Sequence, residues 1–184
     1  FDYEKGCWVL NKELALTTNI NFNNPASYYE VLIARLTNEE LILLTYAAAF
    51  GNTFWFEVVK TAIKNERLAI NLLDQLLHKG ILMPAGKHGF YAFSEMELAS
   101  FLLRNSPDAS LQEIYLSIIA AYASIPETPE MEEEFFVLLD KLLNVPAKYC
   151  KPFEQMLWKG IERAQKIALF EVNFRCYKHL IEMV

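Results

Sequence analysis

The sequence predicts a mainly α fold in two parts: three short helices closed by a β-hairpin over residues 36–106, then an antiparallel helical array over 107–184, with residues 1–35 as an N-terminal arm or connector. Three observations carry this. Leu68, Ala69, Leu72, Leu73, Leu76 and Leu77 recur at the spacing that puts one face of a helix against a core. Directly afterwards the pattern changes to two short apolar runs flanking a link that holds two glycines, Gly86 and Gly89. Beyond Pro107 only helical periodicity is found, interrupted by Pro126, Pro129 and Pro146. Hydrophobic residues make up 53% of the 184 positions, enough to bury a sizeable core rather than leave a disordered chain.

Taken in order, the arm ends in an Asn-rich loop, Asn19 to Pro25, which caps the following helix. The first helix opens at Leu36-Thr37-Asn38-Glu39-Glu40. Thr37 or Asn38 serves as its side-chain cap, carboxylates lie in the first turn, and Gly51 stops it. A second helix around Phe54 to Ile63 supplies Phe54, Val58 and Val59 to one face, and a third runs from Leu68 to Lys79. Gly80 stands where a left-handed helix terminus is wanted. Strands at Ile81–Pro84 and Phe90–Phe93 flank Ala85-Gly86-Lys87-His88-Gly89, a length suited to a hairpin turn. This order of elements is that of a winged helix. Glu97 to Arg104 form a further short helix, and the cluster Asn105-Ser106-Pro107-Asp108 marks the domain boundary.

In the C-terminal part, Leu111, Ile114, Tyr115, Ile118, Ile119, Tyr122 and Ile125 trace one apolar stripe. Met131, Phe135, Leu138, Leu139 and Leu142 trace another. Two last helices, from about Pro152 to Phe170 and from about Glu171 to Met183, meet at a tight junction like that of a helical hairpin.

On these residues the chain resembles the winged-helix region that follows the nucleotide-binding core in STAND-type signalling ATPases, relatives of the AAA+ enzymes. Gly6-Cys7-Trp8-Val9-Leu10 resembles the strand that closes the preceding core. Val31 to Leu36 resembles the "I-x-A-R-L" helix, and Leu43 to Gly51 the "L-L-x-x-A-A-x-x-G" helix, with Phe54 as the aromatic that follows it. Leu73 to Leu82 is similar to "L-x-x-L-x-x-x-G-x-L", Tyr91-Ala92-Phe93 to the wing strand, and Ile161 to Lys178 to a first tetratricopeptide-like hairpin. The resemblance implies a non-catalytic regulatory and protein-interaction module that couples a nucleotide-binding core to a helical sensor array. Its implied partners are an upstream nucleotide-binding domain of the same chain and a protein ligand on the array. In such proteins the winged helix rests on the core and swings away on activation. The surface this assigns here is the wing with Lys87, His88 and Glu95, together with Arg67, Asn71 and Asp74 on the third helix. The chain departs from the pattern in two ways. Glu95 stands where the family carries a phosphate-sensing His, and a carboxylate repels phosphate. Asn173 and Leu180 stand where such hairpins prefer small residues.

Other chemistries are disfavoured by what the sequence lacks. There is no Gly-x-x-x-x-Gly-Lys-Ser/Thr run and no Gly-x-Ser-x-Gly elbow, so this fragment is expected to carry no catalytic residues and no cofactor. The three cysteines and three histidines are scattered without zinc-ligand spacing, so no metal site is expected, and the odd cysteine count suits free thiols in a reducing cytosol. Glu39-Glu40 and Glu132 to Glu134 each have a sufficient role at a helix start. The lysines and arginines from Lys148 onward make the final third basic. Solvated helix faces account for this, with an intramolecular acidic-to-basic contact as the sharper possibility. The apolar helical stretches Leu41–Phe50 and Leu116–Ile125 fall far short of the roughly 20 residues of a bilayer span, so no membrane partner is expected. The chain begins at Phe1 with no initiator Met and no signal-like segment, and it is expected to be an excised cytoplasmic piece. The alternative function is a winged-helix DNA-binding domain of a transcription regulator, read through the third helix. A net charge of -6 and the carboxylates Glu66 and Asp74 on that helix oppose it.

Overall fold

The computed structural model describes residues 25–125 and 132–183; the strand at Gly6–Leu10, the Asn-rich loop up to Asn24, Pro126, Pro129 and Met131 lie outside the described residues. Among the described residues there are nine α-helices and a three-stranded antiparallel sheet, a mainly α structure. The chain divides into two compact units between Leu41 and Ile42.

The described part of the first unit holds α1 (Pro25–Ile33) and the start of α2 (Asn38–Phe50). Helix α1 occupies the end of the segment assigned to a connector. Pro25 sits at its first position, where the missing N–H has no helical partner to lose. Thr37 and Glu40 close a reciprocal capping box. The Glu40 amide donates to Thr37 Oγ1 at 3.2 Å, and the Thr37 amide donates to Glu40 Oε2 at 2.9 Å.

The second unit continues with β1 (Thr53–Trp55), α3 (Phe56–Ile63), α4 (Glu66–His78), β2 (Leu82–Pro84), β3 (Phe90–Phe93) and α5 (Met96–Arg104). Strand β1 corrects the sequence reading, which placed Phe54 in the second helix. It pairs with β3 in the register Thr53↔Ala92, Phe54↔Tyr91 and Trp55↔Phe90, while β2 takes the other side of β3. Thr, Phe and Trp favour strands, and alternation sends Phe54 inward while Thr53 stays exposed. Phe54, Phe93, Leu82, Leu76, Leu98 and Val58 form the centre of this part of the core.

Helix α4 ends as its sequence predicts. Gly80 adopts φ 69°, and its amide donates to the Leu77 carbonyl at 3.0 Å while the Ile81 amide donates to Leu76 at 3.1 Å, a Schellman terminus. A Cβ on Gly80 would meet no atom within 4 Å, so Gly80→Ala should lose only the cost of a left-handed backbone, about 1 kcal/mol. Ala168 repeats this geometry with a Cβ present, at φ 58° with Leu169 donating to Ala164 at 2.8 Å. Ala168→Gly should therefore raise stability, by roughly 0.5–1 kcal/mol. Urea titration of the two variants should move the midpoint in opposite directions.

The remaining elements are α6 (Asp108–Ser124), α7 (Glu132–Leu142), two 3-10 turns, α8 (Glu154–Lys166) and α9 (Phe170–Glu182). Among the described residues after Pro107 only helices and turns occur. Helix α6 packs along α3, burying Ile118, Ile119 and Tyr122 from the predicted stripe. Phe135, Leu138, Leu139 and Leu142 of α7 are also buried as the periodicity requires. Helices α8 and α9 form an antiparallel pair, and Gly160 lets them close on α7: a Cβ there would lie 2.6 Å from Leu139 Cδ2 and 3.2 Å from Cys176 Sγ. Arg175 of the last helix pairs with Asp140 of α7 at 2.8 Å, but Glu133 and Glu134 of the acidic run meet Lys87 rather than the basic final third.

Candidate functional site

The hairpin loop between β2 and β3 is tied down at both ends. The Ala85 amide donates to the Phe90 carbonyl at 2.9 Å and the Phe90 amide to the Lys87 carbonyl at 3.1 Å. Gly89 takes φ 78° against the indole of Trp55, which itself stacks on Phe90 with ring centroids 6.0 Å apart and an interplanar angle of 4°. This fixes the direction in which Lys87 leaves the loop. Its ammonium lies 5.4 Å from the Phe90 ring centroid, a cation–π distance.

The ammonium then meets the first turn of α7. Lys87 Nζ donates to Glu134 Oε1 at 3.2 Å, and Glu133 Oε2 lies 3.9 Å away. The two ends of this pair differ sharply in exposure: the Lys87 side chain is 52% exposed and that of Glu134 only 7%. Glu134 Oε2 is shielded from solvent and has no hydrogen-bond partner among the described residues. A buried carboxylate satisfied at one oxygen of two is an energetic liability, since an unpaired buried acceptor typically costs about 1–3 kcal/mol. A cleft of about 390 Å³ opens beside the pair, with Phe50, Phe90 and Val137 as apolar walls and Asn52 and Thr53 as polar ones.

The residues the sequence assigned to an interaction surface fall in two places. Arg67, Asn71 and Asp74 share the exposed side of α4, where the Asp74 carbonyl also accepts from His78 Nδ1 at 2.7 Å. Lys87 and His88 lie exposed on the hairpin loop, and Lys87 alone of the six is brought to the cleft. Glu95 is exposed at the N-cap of α5, with no side-chain capping bond. Glu133, Glu134 and Phe90 were not singled out as site residues. The acidic run had a sufficient role in the helix dipole, and its partner is 47 residues away in sequence.

Little else in the described residues is poised for chemistry. Burial pushes the Cys150 and Cys176 thiols up to about 11, so both stay protonated and unreactive near neutral pH. Lys60 of α3 is bound to Glu66 at 2.8 Å and Glu57 at 2.9 Å. Hydrogen bonding to Glu66 and then to Glu57 holds its ammonium above the ordinary lysine range. No group of three His, Cys, Asp or Glu residues suited to a metal ion occurs among the described residues, and no described helix is long and apolar enough to cross a membrane. Helix α9 presents an apolar stripe to solvent, with Phe170 78%, Phe174 70% and Ile181 73% exposed and Tyr177 between them. No protein-family profile, curated protein or solved structure matches the chain.

Proposed function

We propose that this chain is a non-catalytic regulatory module in which a winged helix leads into a helical, tetratricopeptide-like segment, as the resemblance to STAND-type ATPases implies. The order α2, β1, α3, α4, β2, β3 is compatible with a winged helix, and the α8–α9 pair with a helical repeat hairpin. The observation that carries the reading is the engagement of Lys87 by Glu134 and Glu133. A wing that grips duplex DNA presents its cations to phosphate. Here the wing's lysine is turned to carboxylates of the same chain, which suits a contact made and broken within a signalling protein. The stripe on α9 is the surface offered to a protein partner, and an upstream nucleotide-binding core is the partner proposed for the winged helix.

Binding to mixed-sequence duplex DNA at physiological salt is the direct test, read by fluorescence anisotropy. The expected result is no submicromolar affinity, because too few cations converge on α4 and the hairpin. Submicromolar binding lost on Arg67→Glu or Lys87→Glu would replace this reading with the DNA-binding one.

A further inference from the structure

We infer that the cleft beside Glu134 is a recognition site for a guanidinium group, that of an arginine side chain presented by a partner protein, and that Lys87 occupies it as an internal substitute. Three features of the site select a cation. Two carboxylates, Glu133 and Glu134, face one position, and the ring of Phe90 borders the same position at cation–π distance. The cleft continues past them between Phe50, Val137 and Thr53, giving room for the stem that carries the charge.

The choice of guanidinium over ammonium rests on Glu134. Its side chain lines the cleft and is 7% exposed, yet among the described residues only Oε1 has a donor, while the shielded Oε2 has none. Lys87 brings one compact ammonium, and at 3.2 Å it serves a single oxygen. A guanidinium presents parallel N–H groups in a planar fork that matches both oxygens of one carboxylate, so it fills the valence the lysine leaves open. It also stacks on an aromatic face more readily than an ammonium does. Lys87 is half-exposed and sits on a loop, so it can leave without uncovering core. An arriving arginine would displace it and free the hairpin loop from α7. This rests on the interaction-module reading for its biological sense, but its test is separate, because duplex binding and guanidinium binding are measured independently.

The test is titration of the whole chain with N-acetyl-arginine amide, followed by amide chemical shifts, against N-acetyl-lysine amide and the neutral isostere N-acetyl-citrulline amide. Lys87→Ala should bind the arginine probe at least tenfold more tightly than the unaltered chain, because the internal competitor is gone. Citrulline should bind at least tenfold more weakly than arginine, and adding Glu134→Gln to Lys87→Ala should abolish the preference. Agmatine separates the source of the guanidinium: weaker binding than the peptide-like probe supports a protein arginine, whereas tighter binding would replace that occupant with a small guanidino compound and overturn the proposal. A second variant covers the case in which Lys87→Ala is poorly folded. Lys87→Arg should fill both oxygens from within, raising the thermal midpoint by about 2–4 °C and blocking the probe. Equal binding of arginine and citrulline probes to Lys87→Ala, or an unchanged or lowered midpoint in Lys87→Arg, would overturn the inference.

Discussion

Phe54→Ala is expected to lower the unfolding free energy by about 3–5 kcal/mol, the largest loss predicted for any single truncation here. The ring is fully buried, lying 6.1 Å from the Phe93 ring and 6.2 Å from that of Tyr91. Removing it forfeits the transfer free energy of a full aromatic side chain and leaves a cavity between β1 and the helices beneath the sheet. Against a total stability of roughly 5–15 kcal/mol for an ordinary domain, the loss is from about a fifth to nearly all of the total. Its neighbours provide the control. Thr53 is exposed, so Thr53→Ala should change stability by less than about 0.5 kcal/mol, and half-buried Trp55 should fall between the two. Urea denaturation of the three variants reads this alternation. If Phe54→Ala cost less than Trp55→Ala, residues 53–55 would not be an inward-outward strand.

The second large effect is expected at Gly160. A side chain there would start 2.6 Å from Leu139 Cδ2, closer than any normal carbon–carbon contact, and 3.2 Å from Cys176 Sγ. Ordinarily Gly→Ala within a helix is favourable by about 1 kcal/mol. Overpacking a core typically costs about 1–3 kcal/mol, so Gly160→Ala should be destabilising on balance, by about 1–2 kcal/mol, and Gly160→Val more so. The cause can be isolated by making room. Leu139→Ala alone should cost about 2–5 kcal/mol, but combined with Gly160→Ala the loss should be smaller than the sum, because the Leu139 methyls and the new Cβ compete for one space. A stabilising Gly160→Ala would mean that α7, α8 and α9 pack less closely than described.

These positions also show which parts of the fold were legible in the sequence. Gly80, the four-residue spacing from Leu68 to Leu77 and the stripe from Phe135 to Leu142 were readable because each is a local pattern with one physical solution. The cap was readable only as Thr37 or Asn38, and the structure selects Thr37, with Glu40 three residues away as its partner. Strand β1 was not. Three residues are too few to establish an alternation, and beside Val58 and Val59 Phe54 fits a helical face equally well. Gly160 lies inside the helix expected from about Pro152 to Phe170, and nothing local marks it. Its reason lies in Leu139 and Cys176, on two other helices. The Lys87–Glu134 pair was hidden in the same way. Each residue had an adequate local explanation, a loop cation and a helix-start carboxylate, and only the packing of the hairpin on α7 brings them together.

That packing is the central claim, and a double-mutant cycle on Lys87 and Glu134 tests it most directly. Lys87→Met and Glu134→Leu are measured singly and together by urea denaturation. Lys87→Met strands a buried carboxylate and should cost more than the exposure of Lys87 alone suggests, whereas the double variant replaces both charges by apolar groups and should recover much of that loss. With Lys87 half in solvent, a coupling energy of about 1–2 kcal/mol is expected. Losses that add to within about 0.5 kcal/mol would contradict the account, showing that the hairpin loop and α7 do not depend on each other.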